Sequence, residues 1–338
     1  MFRLVNHIWC IFENQNKNEE TKPKKQKELT QEEQILEKGL LEEYNINKLY
    51  YLLQNNNLKE IIDKRNYTEE QAEKELKKHK HFINTLILNN GTLTTNYFYN
   101  NDKIKFRKFS KTTSTQSIIR ELRNFLMSDY KDYKDLDFIN CISSIMLFIT
   151  KILNIKAPMI YLYYTEREKI INKYYEGKKE QVKIFINTSF FNSNKETQTT
   201  PKNNFEKEIL KEIKEIHNNL NPQYLENINK EFLKVLLLCR EEAKKSKNIE
   251  KVKFLKNDKK IIYNLEGRIL CNLYHYYENK ALIILTKYLF KQYKKYPHSL
   301  IFDGLIFNEK DIKPSEINKY FECLSVNKEY YFFKFFKN

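Results

Sequence analysis

Two aspartates, Asp137 and Asp303, are the carboxylates whose positions could hold a divalent metal. Asp303 is followed by Gly304, and the pair separates two short apolar runs within residues 299–307. Asp-Gly favours a two-residue type I′ turn and its flanks are strand formers, so the expectation is a tight hairpin, both strands buried, with one carboxylate at its tip. Asp137 lies near the end of a strand-like stretch, residues 133–139, and precedes an apolar helix over 140–153. Brought together, two such carboxylates suffice for Mg²⁺, which prefers a few carboxylates plus phosphate oxygens to a full protein cage. Two ions held in this way can activate an attacking oxygen and neutralise a leaving group in phosphoryl transfer. Each aspartate also has an ordinary structural reading, as a turn residue for Asp303 and as a helix N-cap for Asp137.

A second group of candidates is cationic. Lys179 and Lys183 are four residues apart on a helical stretch, which puts both on one face about a turn apart. They could hold a triphosphate by charge; the alternative is a solvated Lys/Glu face. The whole chain carries a formal charge of +16, the electrostatic footprint of a polyanion binder. Abundant Lys, Asn, Ile and Tyr would also arise from an AT-rich genome without selection for binding. Arg is scarce beside Lys, so diffuse lysine contacts to phosphate outweigh bidentate forks.

The elements that must position these groups are mostly helices. With 41% hydrophobic residues, 5 Gly and 6 Pro in 338 residues, the chain can bury a core and is not low-complexity. Residues 1–33 begin with a mildly apolar stretch and continue as a polar linker over 13–33. A helical lead-in domain is expected over 34–95: Ile35, Leu36, Leu40 and Leu41, then Leu49, Leu52 and Leu53, recur at helical spacing. Thr68 with Gln71 resembles a capping box. A β-hairpin is predicted within residues 92–110, where Tyr97 and Tyr99 and then Ile104 and Phe106 alternate about a turn at Asn100–Asp102, and a helix from Ser114 to Met127. Further helices are predicted over 167–187, 205–220, 232–245 and 265–295, and an aromatic core strand over 330–336.

The five cysteines are odd in number, widely spaced and without C-x-x-C. They read as reduced thiols of an intracellular, reducing compartment, with no structural zinc. No apolar run approaches membrane-spanning length, so no membrane partner is expected. No G-x-x-x-x-G-K-[ST] loop is present, which removes a fused P-loop ATPase.

Residues 105–110, 114–126 and 133–140 together resemble the block that leads into motif A in the family A DNA polymerases of virophages, large DNA viruses and related plasmids. There an arginine-bearing segment is followed by a Ser-x-Gln helix, an Ile-Arg-x-x-Leu stretch and a D-x-D-x-x-N strand. The resemblance puts Arg107, Gln116, Arg120 and Arg123 at family positions and implies that they contact nucleic acid. It gives Asp137 the motif A metal-ligand place, with Asp135 as the preceding acid. Lys179 and Lys183 keep the spacing of motif B, with Lys for the family's first Arg, and Phe191 takes the place of its late Tyr. Asn192 replaces the Gly that normally follows. Residues 164–168 are similar to a tyrosine–arginine segment of the same branch, which implicates Arg167 in phosphate contact; Asn140 and Phe191 would shape the nucleotide pocket. Phe302, Asp303 and Gly304 resemble the viral form of motif C, preceded by a long helix with an inward Glu, here Glu278. A classical second acid after the motif C Asp is missing.

The resemblance covers about residues 97–310, is specific at 114–140 and 299–307, and is loose between. It implies an α+β, helix-rich right-hand palm with a small antiparallel sheet and fingers helices over 96–338. Motif A would lie at 133–140, the fingers at 164–192 and motif C at 299–307. The implied activity is template-directed DNA synthesis in a viral or plasmid-type element. Two Mg²⁺ ions would be held by Asp137 and Asp303, with primer–template and dNTPs as substrates and a separate helicase or primase as partner. Two alternatives stay open: a degenerate polymerase fold that binds nucleic acid without chemistry, and an unrelated basic helical protein. The last would be favoured if Asp137 and Asp303 lay more than roughly 10 Å apart, since metals in a two-metal site sit only about 4 Å from each other.

Overall fold

Apolar spacing and local side-chain chemistry decide which segments become helices here. The computed structural model describes residues 38–99, 107–129, 133–191, 201–221, 230–254, 265–309 and 312–324. The expected linker, the hairpin turn with Ile104 and Phe106, most of the polar loop before 204 and the aromatic strand over 330–336 lie outside these residues. The architecture is helix-rich α+β, with twelve helices and three small antiparallel sheets among the described residues. No described helix is long and apolar enough to cross a membrane. The described cysteines Cys141, Cys239 and Cys271 are free thiols.

The N-terminal half begins with β1 (Leu40–Glu43), α1 (Ile46–Leu53), α2 (Asn57–Asp63) and α3 (Glu69–Leu88). Leu40 and Leu41 were expected on a helix; they form a strand instead, paired to β2 (Thr92–Thr95). The alternation is hidden in the sequence because its inward positions are Leu40 and the carboxylate Glu42, both fully or nearly fully buried. The capping box forms as predicted: Gln71 N–H donates to Thr68 Oγ1 and Thr68 N–H donates to Gln71 Oε1. His79, Phe82, Ile83 and Leu86 bury one face of α3 at i, i+3, i+4 and i+7.

Next come β3 (Tyr97–Tyr99) and β4 (Lys108–Ser110), which pair with Phe98 opposite Phe109. The pairing lies within the 92–110 stretch expected to form a hairpin, with Lys108–Ser110 as the partner strand; the turn itself lies outside the described residues. The helix expected from Ser114 starts later, as α4 (Arg120–Met127). Residues 114–117 satisfy one another instead: Ser114 N–H donates to Ser117 Oγ, which donates back to Ser114 O. Such local bonds compete with helix formation. Ile118, Ile119, Leu122 and Leu126 then pack with Leu49, Leu58, Ile62, Phe82 and Leu86 in one core.

A second, larger core surrounds a three-stranded sheet. Its strands are β5 (Tyr133–Asp137), β6 (Ser299–Ile301) and β7 (Gly304–Asn308), in the order β5-β7-β6. Helices α5 (Cys141–Ile152), α6 (Pro158–Thr165), α7 (Arg167–Tyr175), α8 (Lys179–Phe191), α9 (Asn204–Asn219) and α10 (Lys230–Phe254) precede the long α11 (Leu265–Tyr293); α12 (Pro314–Leu324) follows the sheet. The helix expected over 167–187 is divided at Glu176 and Gly177, whose φ values of +51° and +78° end α7. α11 packs against α5, α8, α9 and α10, and this many-sided burial explains why it has no single apolar stripe.

Leu86 is completely buried in the first core. Leu86→Ala is expected to destabilise the protein by about 3 kcal/mol in urea unfolding, and Thr68→Ala at the exposed cap by about 1 kcal/mol.

Candidate active site

The site is built where β5 meets β7. These strands run antiparallel with Leu136 opposite Leu305 and Asp137 opposite Gly304. Directly opposed Cα atoms in such a pair are about 4.5–5.5 Å apart. Phe138 N–H donates to Asp303 O at 3.1 Å. Two residues far apart in the chain therefore converge, as the sequence reading required. Apolar burial drives this pairing: Leu136, Leu300, Leu305 and Phe307 are all within 2% of complete burial.

The hairpin differs from the expected Asp-Gly turn. Ile301 pairs with Gly304, so Phe302 and Asp303 are the two loop residues and Gly304 is the first residue of β7. None of the three has the positive φ that a type I′ turn needs. Gly304 is required for space rather than for backbone freedom. A Cβ there would lie 2.3 Å from Asp137 Oδ1 and 2.4 Å from Leu136 O. The missing side chain leaves room for the Asp137 carboxylate.

That carboxylate sits in a crowded field. Asp135 and Asp137 are two apart on β5 and so share a face. Burial, then the charges of Asp135 and Asp303, push the Asp137 carboxyl up to about 7, against the opposing pull of Arg123 and Arg120. Burial also raises Asp135, which the same two arginines counter. Asp135 Oδ1 and Arg123 Nε are both buried without a hydrogen-bond partner. Arg120 and Arg123, expected on nucleic acid, thus lie on α4 within electrostatic reach of the carboxylates.

The flanks are cross-braced. Arg107 makes a bidentate ion pair with Glu278 on α11, and its guanidinium lies 4.7 Å from the centre of the Phe302 ring. Glu278 is completely buried and accepts a third bond from Tyr274 Oη at 2.6 Å. Burial raises the Glu278 carboxyl, while the Arg107 bonds work to lower it. Arg107, expected on nucleic acid, is committed to this internal pair. Gln116, also expected there, is 6% exposed. Its Nε2 donates to Lys108 O and Leu300 O, and its Oε1 accepts from Ser110 N–H; it braces the sheet.

The nucleotide candidates divide into two groups. Asn140 and Arg167 come together: Arg167 Nη1 donates to Asn140 Oδ1 at 3.0 Å, and Asn140 Nδ2 donates to Tyr164 O at 3.2 Å. Asn140 adopts φ +48° at the start of α5, a conformation Asn tolerates. Phe191 packs on Tyr274, ring centres 5.6 Å apart, behind Glu278. Lys179 and Lys183 are exposed on α8, at the border of the side that buries Val182, Phe185, Ile186 and Phe190. Lys179 pairs with Glu168 at 3.0 Å. Among the described residues neither lysine bonds to Asp137 or Asp303.

The donor set suits a hard divalent cation. The Asp137 carboxylate takes the space beside Gly304, the charge of Asp303 acts on it, and Asp135 on the same strand has an unpartnered oxygen. Among the described residues no three or more His, Cys, Asp or Glu side chains group to hold a metal. A cation at Asp137 and Asp303 would therefore draw its remaining oxygens from substrate and water, as Mg²⁺ does. The sequence reading missed Glu42, Tyr97 and Tyr274, which support this centre. The only signals were a carboxylate in a strand otherwise led by leucines and a tyrosine one helical turn before Glu278.

Compared with known proteins, the sequence matches no protein family and no curated protein.

Two outcomes test this geometry. Asp137 holds a proton up to about pH 7 when folded and loses it near its ordinary 3.8 when unfolded. Its contribution to stability is fully present below about pH 4 and is lost as pH rises through about 7. Asp137→Asn is therefore expected to gain about 2 kcal/mol on the wild type between pH 4 and pH 8, after allowance for solvent screening, in denaturant titrations at both pH values. Gly304→Ala is expected to cost about 3 kcal/mol by the same measurement, and Gly304→Ala combined with Asp137→Ala less than the two single losses summed.

Proposed function

We propose that this chain is a template-directed nucleotidyltransferase of DNA polymerase type, similar to the family A enzymes of virophages, large DNA viruses and plasmids. The observation that carries the proposal is the pairing of β5 with β7, which seats Asp137 opposite Gly304 and beside Asp303. The reading joins motif A and motif C in one small antiparallel sheet, and the nearness of the two aspartates supports it.

In this reading Asp137 and Asp303 hold Mg²⁺, which when bound would lower the pKa of an attacking 3′-hydroxyl and offset charge on a leaving pyrophosphate. The residues do the rest by position. Asp137 must give up its proton for the site to load, so loading releases a proton. Arg120 and Arg123 moderate the carboxylate charge. Arg107, fixed between Glu278 and Phe302, holds the base of the turn that carries Asp303. Arg167, whose Nη1 donates to Asn140 Oδ1, would supply guanidinium charge for a phosphate oxygen. Lys183 and Lys179 supply exposed cationic charge on α8. The surplus lysines suit a polyanionic primer–template.

A second reading is a degenerate polymerase fold that binds primer–template without chemistry. It is motivated by the absence of a third metal-ligating acid among the described residues and by Asn192 in place of the motif B Gly. Asp303→Asn separates the two. Under the proposed function it lowers primer extension with Mg²⁺ by roughly a thousandfold or more while the Kd for primer–template stays within about threefold. Equal extension by variant and wild type removes Asp303 from the mechanism. Tight binding with no incorporation by the wild type, with Mg²⁺ or Mn²⁺, selects the degenerate reading.

A further inference from the structure

The strand that leads into the Asp303 turn has an unusual outer edge. β6 is three residues long and pairs with β7 on one side only. In a two-residue hairpin closed by Ile301 and Gly304, the backbone groups of Leu300 point away from β7. An edge residue normally meets solvent or another strand. Among the described residues Leu300 pairs with no further strand, and it is 1% exposed. Its N–H donates to Tyr97 Oη at 3.1 Å and its carbonyl accepts from Gln116 Nε2 at 3.2 Å. Two side chains thus take the place of a fourth strand.

Both side chains are themselves fixed. The Tyr97 hydroxyl accepts from Leu300 and donates to Glu42 Oε1 at 3.5 Å. Glu42 is fully buried and also accepts from Tyr44 Oη, from Thr115 N–H at 3.0 Å and from Thr115 Oγ1 at 2.8 Å. Gln116 spends its other amide contacts on β4, at Lys108 O and Ser110 N–H. The two partners of Leu300 therefore join through the consecutive residues Thr115 and Gln116, and both are anchored in strands outside the sheet.

We propose that Tyr97 and Gln116 are positioning residues that clamp β6, and through it set where Asp303 stands relative to Asp137. Neither touches the carboxylates. Leu300 is three residues before Asp303, and β6 joins it through a two-residue turn with little slack. The β5–β7 pairing holds one side of the turn through Phe138 N–H and Asp303 O; the clamp holds the other. The inference rests on the proposed function for its kinetic consequence, but not for its consequence for cation binding.

The test compares full-length Tyr97→Phe and Gln116→Leu with Tyr175→Phe. The last removes a buried hydroxyl bonded to Glu206 at 2.8 Å, outside the sheet. Each clamp variant is expected to lower kcat for single-nucleotide addition about tenfold, leave the dNTP KM within about twofold, and weaken Mn²⁺ binding measured by electron paramagnetic resonance about fivefold. Tyr175→Phe is expected to change none of the three. Should Gln116→Leu not fold, Tyr97→Phe decides alone, because it removes a single hydroxyl and keeps the ring in place. Wild-type kcat and Mn²⁺ affinity in the clamp variants overturn the proposal, as do equal losses in Tyr175→Phe. A wild type that adds no nucleotide defeats the proposed function alone, because the Mn²⁺ comparison still decides the clamp. A wild type that binds no Mn²⁺ defeats the clamp's assigned role too.

Discussion

Carboxylates of like charge are held side by side on β5 and at the β6–β7 turn, and the fold around them serves to keep them there. Asp137 occupies the space that a side chain on Gly304 would fill. Left in water, such groups would separate; in the sheet they cannot, because Leu136, Leu305 and Phe307 bury the strands that carry them. Hydrophobic burial thus overcomes an electrostatic cost that it does not remove. Storing unfavourable interactions at a site while the surroundings stabilise it is a usual mark of binding or chemistry.

The polar interior follows from that arrangement. Buried polar groups must be bonded or their desolvation goes uncompensated. Arg107 with Glu278, Gln116 with its three backbone partners, and Glu42 with Tyr44, Thr115 and Tyr97 all meet this demand. Each connects chain segments that are remote in sequence. Together they encircle the sheet, while the aliphatic contacts of α11 fill the volume behind it. A core built only of leucines would satisfy the burial term without specifying which strand lies at the edge.

The elements that were legible in the sequence are those whose signal is local. The capping box at Thr68, the apolar helix after Asn140, the long helix over Leu265–Tyr293 and the strand pair flanking Asp303 could be read from spacing alone. The convergence of Asp137 and Asp303 was foreseen from motif order. The misread parts are those in which a distant partner decides. Leu40 and Leu41 pair with β2, a contact that periodicity does not encode. Ser114–Ser117 bond to one another and to Glu42, so an apparent helix begins late. The Asp303–Gly304 dipeptide has the composition of a type I′ turn, yet Gly304 answers to Asp137 across the sheet rather than to the turn. For Arg107 and Gln116 the residue type suggested an external partner; their actual partners lie inside, 171 and 184 positions along the chain.

The placement of α4 carries one more consequence. Its apolar side, Leu122 and Leu126, belongs to the core formed by α1, α2 and α3, while Arg120 and Arg123 on the same helix act on Asp135 and Asp137. The N-terminal core consequently fixes the helix from which two guanidinium charges act on the aspartates. Swelling or loosening of that core would shift both charges, and so alter the acidity of groups on a strand that belongs to the other core.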